Sequence, residues 1–276
     1  MSEGFEPSQG DRRNQEDDGG TGGVTSPTFS IIVIDYEGSV SRDVFRRKMK
    51  CLAEQTCQDF EVLVYHDGPK ATSYEDDVAG APCPSNIRFF VTDERENCWG
   101  HSNRDRGIRA ATGTWIVHTN ADNVFYPTLL ERLKAEAECT IPRPAYQRKR
   151  LPMIWKSIAK RWDIAFGTNL MGVEEGVITE RQILVFAIVM VGIVPILKSG
   201  GAKRLNDMTD AYGAVYGGIP VSPGNIDLMQ FVMRRELWLK EGGWSNTHEN
   251  SDGMLYRAFA GKYDVIVVPK VLGEHW

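Results

Sequence analysis

The feature that most constrains this chain is the alternation, between residues 29 and 139, of apolar β-branched runs with amphipathic helical segments. Runs without polar alternation are typical of strands buried on both faces of a parallel sheet. Four segments are predicted strands: Phe29–Ile34, Phe60–Tyr65, Ile87–Val91 and Thr114–Thr119. Three are predicted helices: Ser41–Gln55, Ser102–Ala111 and Thr128–Cys139. This alternation predicts an α/β fold with a mostly parallel central sheet flanked by helices.

The first 27 residues do not share this pattern. They hold six of the 37 acidic residues, two of the 32 basic residues and only Phe5 and Val24 as large apolar side chains. Such a segment buries too little surface to offset the entropy lost on ordering, so we expect a disordered acidic tail. Residues 28–276 are expected to form a single domain. The regular alternation covers 28–139 and loosens over 140–276.

Charge and cysteine content exclude several classes of protein. The net charge is −5 for 276 residues, and the chain beyond the tail is close to neutral. A basic surface is therefore not expected, which argues against nucleic-acid binding. The five cysteines are odd in number and form no Cys-x-x-Cys pair, which indicates free thiols in a reducing compartment. The N-terminus has no apolar signal segment, and the expected localisation is cytoplasmic.

The segment 140–199 has two unusual stretches. Residues 140–162 contain seven basic and no acidic side chains, with Ile154, Ile158 and Trp162 at helical spacing. Ile183–Leu197 follows as fifteen residues without a polar side chain, shorter than the roughly twenty that span a bilayer. A buried helix or a strand pair is one interpretation of the apolar run. A surface helix is the other, and it would give 140–199 a peripheral contact with the cytoplasmic membrane face.

Polar residues follow two of the predicted strands, at Asp67-Gly68 and at Asn120-Ala121-Asp122. Open α/β sheets bind ligands beyond the carboxyl ends of their strands, so we expect the functional site there. The chain has no G-x-G-x-x-G, Walker A, H-E-x-x-H or G-x-S-x-G motif. This disfavours dinucleotide oxidoreductases, P-loop NTPases, zincins and α/β-hydrolases.

The remaining motifs form an ordered set. It comprises Gln55-Thr-Cys-Gln-Asp-Phe-Glu-Val62, Asn103-Arg-Asp-Arg-Gly-Ile-Arg-Ala-Ala-Thr-Gly113, Asn120-Ala-Asp122, Arg234, Gly242-Gly-Trp244, Glu249-Asn-Ser-Asp252 and Gly273-Glu-His-Trp276. In this order and spacing the chain resembles the inverting family 2 glycosyltransferases of GT-A fold, from about residue 29 to 276. The resemblance implies a nucleotide-diphosphate-sugar donor, bound by 28–139, and an acceptor side in 140–276. A UDP-sugar is the first expectation for the donor, and a glycan or lipid-linked glycan for the acceptor.

The resemblance also implies a divalent metal, Mn²⁺ or Mg²⁺. Asp122 matches the second acid of the family's Asp-x-Asp motif, Ala121 its middle residue, and Asn120 replaces the first acid. His275 matches the family's late metal-binding histidine. A fixed cation would offset the charge that develops on the leaving diphosphate. The alternatives are an ordinary loop or capping acid for Asp122 and a tail histidine without a role for His275.

Further residues match the family's nucleotide-binding positions. Asp67 matches the acid that accepts a hydrogen bond from the base, although a turn former before Gly68 is the alternative. Tyr36 keeps the ring that stacks near the base, while its neighbours Asp35 and Glu37 depart from the family's usual pattern. Arg104 matches the family's arginine, which is expected near the diphosphate. A structural ion pair is the alternative for Arg104.

The acceptor hydroxyl must lose its proton as it attacks, which requires a carboxylate within reach. Asp252, at the start of a predicted helix, matches the family's base, and Glu249 is the fallback. The alternative for Asp252 is an acid that stabilises the helix N-terminus. Trp244 is expected to lie under a donor or acceptor sugar, or else in the core.

Two other functions remain open. Because Asn120 replaces an acid, the domain could bind a nucleotide-sugar or glycan without turnover. A nucleotidyltransferase on a similar sheet is the third hypothesis, although Asp252 and His275 have no obvious role in it.

Overall fold

The computed structural model describes residues 26–141, 143–144, 177–178, 180–191, 193–196, 201–204, 213–245, 248–249 and 251–276. Except for residues 26 and 27, the predicted tail lies outside the described residues. The basic segment with Ile154, Ile158 and Trp162 at helical spacing also lies outside them. At the boundary, the Pro27 carbonyl accepts a hydrogen bond from Thr114 N at 3.2 Å.

The described elements follow the predicted order. The helices are α1 (Arg42–Ala53), α2 (Tyr74–Val78), α3 (His101–Ala110), α4 (Leu129–Ala137), α5 (Arg235–Lys240) and α6 (Ser251–Ala260), with a 3₁₀ turn at Leu228–Gln230. The strands are β1 (Phe29–Tyr36), β2 (Phe60–Asp67), β3 (Ile87–Val91), β4 (Trp115–Asn120), β5 (Val124–Phe125), β6 (Arg143–Pro144), β7 (Val177–Ile178), β8 (Ile183–Val191), β9 (Ile193–Ile196), β10 (Gly201–Arg204), β11 (Gly213–Tyr216), β12 (Phe231–Arg234) and β13 (Val265–His275).

The central sheet has the strand order β3-β2-β1-β4-β12-β8-β13-β5, and β11 pairs with the far end of β8. The four strands from the first half of the chain are parallel, as predicted. Among the described strands of the second half, only β8 and β13 pair in parallel. β12 runs antiparallel to both β4 and β8, and β5 runs antiparallel to β13. The predicted α/β class is confirmed, with parallel pairing concentrated in the first half.

The two faces of β1 explain why its apolar run is continuous. Ile31 and Val33 pack into one hydrophobic cluster, and Ile32 and Ile34 into a second cluster on the opposite face. Helix α1 covers the first face, with Phe45, Met49 and Leu52 buried. Ile108 of α3, Trp238 of α5 and Tyr256 of α6 belong to the second cluster. Both faces of the sheet are therefore covered by helices.

Local signals set the helix boundaries. The Ser41 side chain accepts a hydrogen bond from Val44 N at 3.3 Å and caps α1 at the residue where the predicted helix begins. Helix α3 packs very closely on β1, because a Cβ on Gly107 would lie 2.7 Å from Cγ2 of Ile32. Only glycine allows that approach.

The described residues of the apolar run Ile183–Leu197 form strands and not a surface helix. β8 lies in the middle of the sheet, and its residues 183–186 are buried. β9 follows it and pairs with β10. The surface-helix interpretation is therefore wrong for the described residues of the run, because β8 lies within the central sheet and β9 belongs to a separate two-stranded sheet. Among the described residues, no helix combines the length and hydropathy needed to cross a bilayer.

The last strand returns the end of the chain to the loop after β4. Glu274 of β13 lies opposite Val124 of β5, two residues beyond Asp122. A Cβ on Gly273 would lie 2.7 Å from the Val124 carbonyl oxygen, so the two strands are tightly packed. This pairing places His275 beside the Asn120–Asp122 loop.

Candidate active site

A pocket of about 370 Å³ lies at the carboxyl ends of β1, β2 and β4. The strand register explains the grouping, because Tyr36 lies opposite Asp67, and Ile34 lies opposite Asn120. The pocket is lined by Ile34, Tyr36, Ser39, Val40, Asp67, Arg95, Asn97, Trp99, Gly100, Asn120, Ala121 and Asp122. The sheet edge predicted from the polar tracts is thus the edge at which the pocket opens.

Asp67 and Tyr36 form one end of this pocket. The Asp67 carboxylate accepts hydrogen bonds from Glu96 N at 2.9 Å and Asn97 N at 3.2 Å. Each carboxylate oxygen has a second lone pair, so these bonds leave acceptor capacity for a ligand. Tyr36 is 43% exposed, and the Arg95 guanidinium lies 4.5 Å from its ring centroid. Asp67 therefore stabilises the loop that contains Glu96 and Asn97, and it also lines the pocket.

The two neighbours of Tyr36 do not line the pocket. Asp35 is buried and accepts hydrogen bonds from Ser39 Oγ and from Tyr74 Oη, the latter at 3.2 Å. Glu37 is exposed, and its Oε2 lies 3.9 Å from Nε2 of His66. Asp35 thus supports the turn after β1, and Glu37 lies at its outer edge.

Arg104 connects the pocket loop to the end of β4. Its guanidinium is buried and donates to the Trp99 carbonyl oxygen at 2.6 Å and to Oδ1 of Asn120 at 2.7 Å. Burial lowers the pKa of Arg104 to about 10, and the Asp252 and Asp227 carboxylates oppose that shift. Arg104 therefore remains charged at neutral pH. Because Asn120 Oδ1 accepts from Arg104, the Asn120 amide group is left as a hydrogen-bond donor.

Asp122 and His275 have the features expected of metal ligands. Oδ1 of Asp122 is buried and has no hydrogen-bond partner among the residues that the structure describes. Nδ1 of His275 lies 2.8 Å from Oδ2 of Asp227. A carboxylate beside one ring nitrogen fixes the orientation of the ring, as it does for metal-binding histidines in general. The described residues contain no cluster of three or more His, Cys, Asp or Glu, so substrate oxygens or water would have to complete the coordination shell.

Two basic residues of α1 lie beneath the Asp122 loop. Lys48 is fully buried, donates to Oγ1 of Thr119 at 2.7 Å, and lies 4.1 Å from the centroid of the Phe125 ring. Burial lowers its pKa to about 8, against the opposing influence of Cys51 and Asp122. Arg47 donates to the Asp122 carbonyl oxygen at 3.5 Å.

Asp252 lies in the first turn of α6. Its Oδ1 accepts a hydrogen bond from Gly253 N at 2.7 Å. Burial raises the pKa of Asp252, and the Asp227 carboxylate raises it further. A carboxylate with a raised pKa is a better proton acceptor than an exposed one. Glu249, by contrast, is exposed.

Trp244 does not lie open to a sugar. It is only 3% exposed, and the rings of His101 and Trp238 stack on it with centroid distances of 5.0 and 5.5 Å. Its Nε1 donates to Oγ of Ser251 at 3.1 Å. The expectation that Trp244 supports a sugar is therefore corrected, because other side chains already cover its ring. Trp244 belongs to the core beneath α6.

A conservative substitution distinguishes this core role from a binding role. We expect Trp244→Phe to lower the free energy of unfolding by about 1–3 kcal/mol, because it removes packed volume and the bond to Ser251. Urea denaturation measures that loss. The KM values for donor and acceptor should stay within twofold of wild type, because a buried ring does not touch the ligand. A selective rise in the KM for either ligand would contradict the core assignment.

Several residues near the site were not among the sequence-based candidates. Asp227 pairs with His275, while Trp99 and Arg95 line the pocket and Lys48 underlies it. Asp227 does carry a local signal, since it caps the 3₁₀ turn and accepts from Met229 N at 3.0 Å. That signal predicts a cap but not a contact with His275, which is 48 residues away in the chain.

Comparison with known proteins identifies the family. Residues 30–170, half of the chain, match the sequence profile of glycosyl transferase family 2. The chain belongs to that family. Among curated proteins, this family 2 member is 32% identical over 109 residues to the uncharacterized glycosyltransferase YibD of Escherichia coli (strain K12). The matched segment covers 40% of this chain and 30% of YibD. It is 27% identical over 103 residues to a PGL/p-HBAD biosynthesis glycosyltransferase of Mycobacterium tuberculosis, covering 37% of this chain and 38% of that protein.

The chain therefore matches about a third of the length of these curated relatives. Among solved structures, Staphylococcus aureus TarS 1–349 in complex with UDP aligns with a TM-score of 0.53 at 12% identity, covering 90% of this chain and 60% of TarS 1–349. The same protein in complex with UDP-GlcNAc aligns with a TM-score of 0.50 at 11% identity, covering 90% and 58%. These similarities concern the fold, and they confirm the GT-A-type architecture predicted from the motifs.

Proposed function

We propose that this family 2 member transfers a sugar from a nucleotide-diphosphate-sugar to an acceptor hydroxyl with inversion at the anomeric carbon. The observation that carries the proposal is the pocket at the ends of β1, β2 and β4, which gathers Tyr36, Asp67, Asn120 and Asp122. Structural neighbours are described in complex with UDP and UDP-GlcNAc, which supports a UDP-sugar as the first donor to test. A glycan or lipid-linked glycan is the proposed acceptor.

We assign the base of the nucleotide to the end of the pocket formed by Tyr36 and Asp67. Asp67 would accept a hydrogen bond from the base, and the Tyr36 ring, with Arg95 beside it, would provide a stacking surface. Arg104 would act through Asn120, holding its amide oxygen so that the NH₂ group donates to ribose or phosphate oxygens. Asp35 and Glu37 would support the turn around Tyr36.

The residues present fit a divalent cation, Mn²⁺ or Mg²⁺. Asp122 offers a buried carboxylate oxygen that no other described residue contacts by a hydrogen bond, and Asp227 lies against the His275 ring. Asp122 and His275 would hold the ion together with oxygens of the substrate. When bound, a divalent ion supplies positive charge against the leaving diphosphate.

The proton of the acceptor hydroxyl would go to Asp252 as the oxygen attacks the anomeric carbon. The raised pKa of Asp252 makes its carboxylate a stronger base than an exposed aspartate. Glu249 remains the fallback base. Its exposure makes it the weaker candidate.

A thermal-shift panel tests donor and metal binding together. The protein is heated with UDP, GDP, dTDP or CDP, each with and without Mn²⁺, beside the Asp122→Ala variant. We expect one nucleotide at 100 times its Kd to stabilise the wild type by about 2.7 kcal/mol, and only when Mn²⁺ is present. Asp122→Ala should lose this stabilisation while keeping its own unliganded Tm within a few degrees.

One outcome of the thermal-shift panel would contradict the proposed function. If no nucleotide shifts the Tm at millimolar concentration, the pocket is not a nucleotide site and the proposed function is wrong. Stabilisation that is the same with and without Mn²⁺, and in Asp122→Ala, would leave the donor site but remove the metal assignment.

A second candidate function is a domain that binds nucleotide-sugar or glycan without turnover. The observation that favours it is Asn120, whose Oδ1 is engaged by Arg104 and which adds no charge beside Asp122. Metal-dependent nucleotide-sugar binding without transfer to any acceptor, and without donor hydrolysis, would support this alternative. Release of nucleoside diphosphate from the bound donor would exclude it.

A further inference from the structure

Trp99 is, besides Tyr36, an exposed aromatic side chain that lines the pocket. Trp99 is 61% exposed, whereas Trp244, Trp115 and Trp238 are at most 3% exposed. Trp99 lies in the loop between β3 and α3. An indole that remains this open contributes little to folding through burial. Its presence in the pocket therefore needs an explanation other than packing.

The backbone at Trp99 is strained. Trp99 has φ of 58° and Asn97 has φ of 50°. Asparagine tolerates the left-handed region, but a bulky side chain there is unusual and costs about 1–2 kcal/mol. Strain of this kind persists where the surroundings impose it, and such positions cluster at ligand-binding sites.

The surroundings of Trp99 are well defined. Arg104 donates to the Trp99 carbonyl oxygen at 2.6 Å, and Asp67 accepts from the amide of Asn97 at 3.2 Å. The next residue, Gly100, packs so closely on β1 that a Cβ there would lie 2.5 Å from Cγ2 of Ile34. The loop is thus held on both sides before any ligand arrives, which reduces the entropy lost on binding.

The same contacts place Trp99 along the length of the pocket. Tyr36 and Asp67 form the end assigned to the base. Arg104 joins the Trp99 carbonyl to Asn120, whose loop continues to Asp122. The backbone of Trp99 is therefore tied to the diphosphate end of the pocket, beyond which the transferred sugar must lie.

We propose that the Trp99 indole is the surface against which the transferred sugar of the donor packs. This inference rests on the proposed function. A pyranose ring has an apolar face of C–H groups and a rim of hydroxyls. An indole offers a matching flat apolar surface and one N–H donor. Trp99 thus takes the role that the sequence assigned to Trp244.

Comparing a nucleotide with its sugar conjugates tests the proposal. Calorimetric titration in Mn²⁺ would measure Kd for UDP, UDP-glucose and UDP-GlcNAc, or for GDP and GDP-mannose if the wild type binds GDP. Two variants are informative. Trp99→Asn removes the ring but still tolerates positive φ, and Trp99→Phe keeps an aromatic surface.

We expect Trp99→Asn to weaken the best-bound nucleotide-sugar about tenfold and the free nucleoside diphosphate less than twofold, by analogy with other aromatic stacking contacts. Trp99→Phe should recover most of the loss. Equal weakening of nucleotide and nucleotide-sugar would overturn the assignment to the sugar, and so would unchanged affinity for both. If the wild type binds neither ligand, the proposed function itself fails, and this inference fails with it.

Discussion

Replacing Asp252 by Asn is expected to reduce sugar transfer by about 10²–10⁴-fold, the usual contribution of a general base. The amide is nearly isosteric with the carboxylate but cannot accept the hydroxyl proton. Its effect should fall on kcat, because the base acts during the chemical step and not in donor binding. The assay would follow release of nucleoside diphosphate with the donor selected by the thermal-shift panel. Thermal stabilisation by that nucleotide should be unchanged.

The matched control is Glu249→Gln, which makes the same chemical change three residues earlier in the chain. We expect it to retain activity within a few fold, because Glu249 is exposed. The reverse result, a small loss in Asp252→Asn and a large one in Glu249→Gln, would transfer the role of base to Glu249. Small losses in both variants would contradict the proposed proton transfer to this segment.

The pH dependence offers a separate check on Asp252. Burial raises the pKa of its carboxyl above the usual range, and only the ionised form accepts a proton. Activity should therefore fall as the pH drops through this raised pKa, and recover above it. In Asp252→Asn the residual activity should lose that acidic limb.

The first half of the fold could be predicted because its signals are local. The strands β1, β2 and β4 each contain an uninterrupted apolar stretch, and the side chain of Ser41 caps the start of α1. The ends of β1, β2 and β4 could be predicted as the site because parallel strands present their carboxyl ends at the same edge. The positions of Asp67 and Asn120 in the pocket follow directly from that topology.

The second half could not be predicted as completely, because its key contacts join distant parts of the chain. The pairing of β13 with β5 brings His275 to the Asn120–Asp122 loop. Periodicity could not distinguish a strand pair from a helix for residues 183–197, since both bury an apolar run. The roles of Trp244 and Trp99 could not be predicted from local sequence either. Which of two tryptophans is exposed depends on the packing of α3, α5 and α6 and not on either residue's neighbours.

Lys48 is a charged side chain in a place where charge is costly. It is fully buried and donates a hydrogen bond to Oγ1 of Thr119, on the strand that leads into the Asp122 loop. Burial lowers the pKa of Lys48 from 10.5 to about 8. Below pH 8 the folded and unfolded chains both carry the proton, so the folded state bears the full cost of burying the ammonium group. That cost is relieved as the pH rises from 8 to 10.5, because the folded chain then releases the proton while the unfolded chain still holds it.

Lys48→Met should therefore remove a specific pH dependence of stability. Relative to the variant, the wild type is expected to gain about 3 kcal/mol in free energy of unfolding between pH 8 and pH 10.5, because the pKa of Lys48 is about 8 in the folded chain and 10.5 in the unfolded chain. Urea denaturation of both proteins at several pH values measures this difference, in which the titrations of shared tyrosines and cysteines cancel. Lys50→Met is the matched control, since the Lys50 side chain is 57% exposed and should show no such trend. A constant difference between Lys48→Met and wild type across this range would mean that Lys48 is solvated in the folded protein, and α1 would then have to pack differently beneath the Asp122 loop.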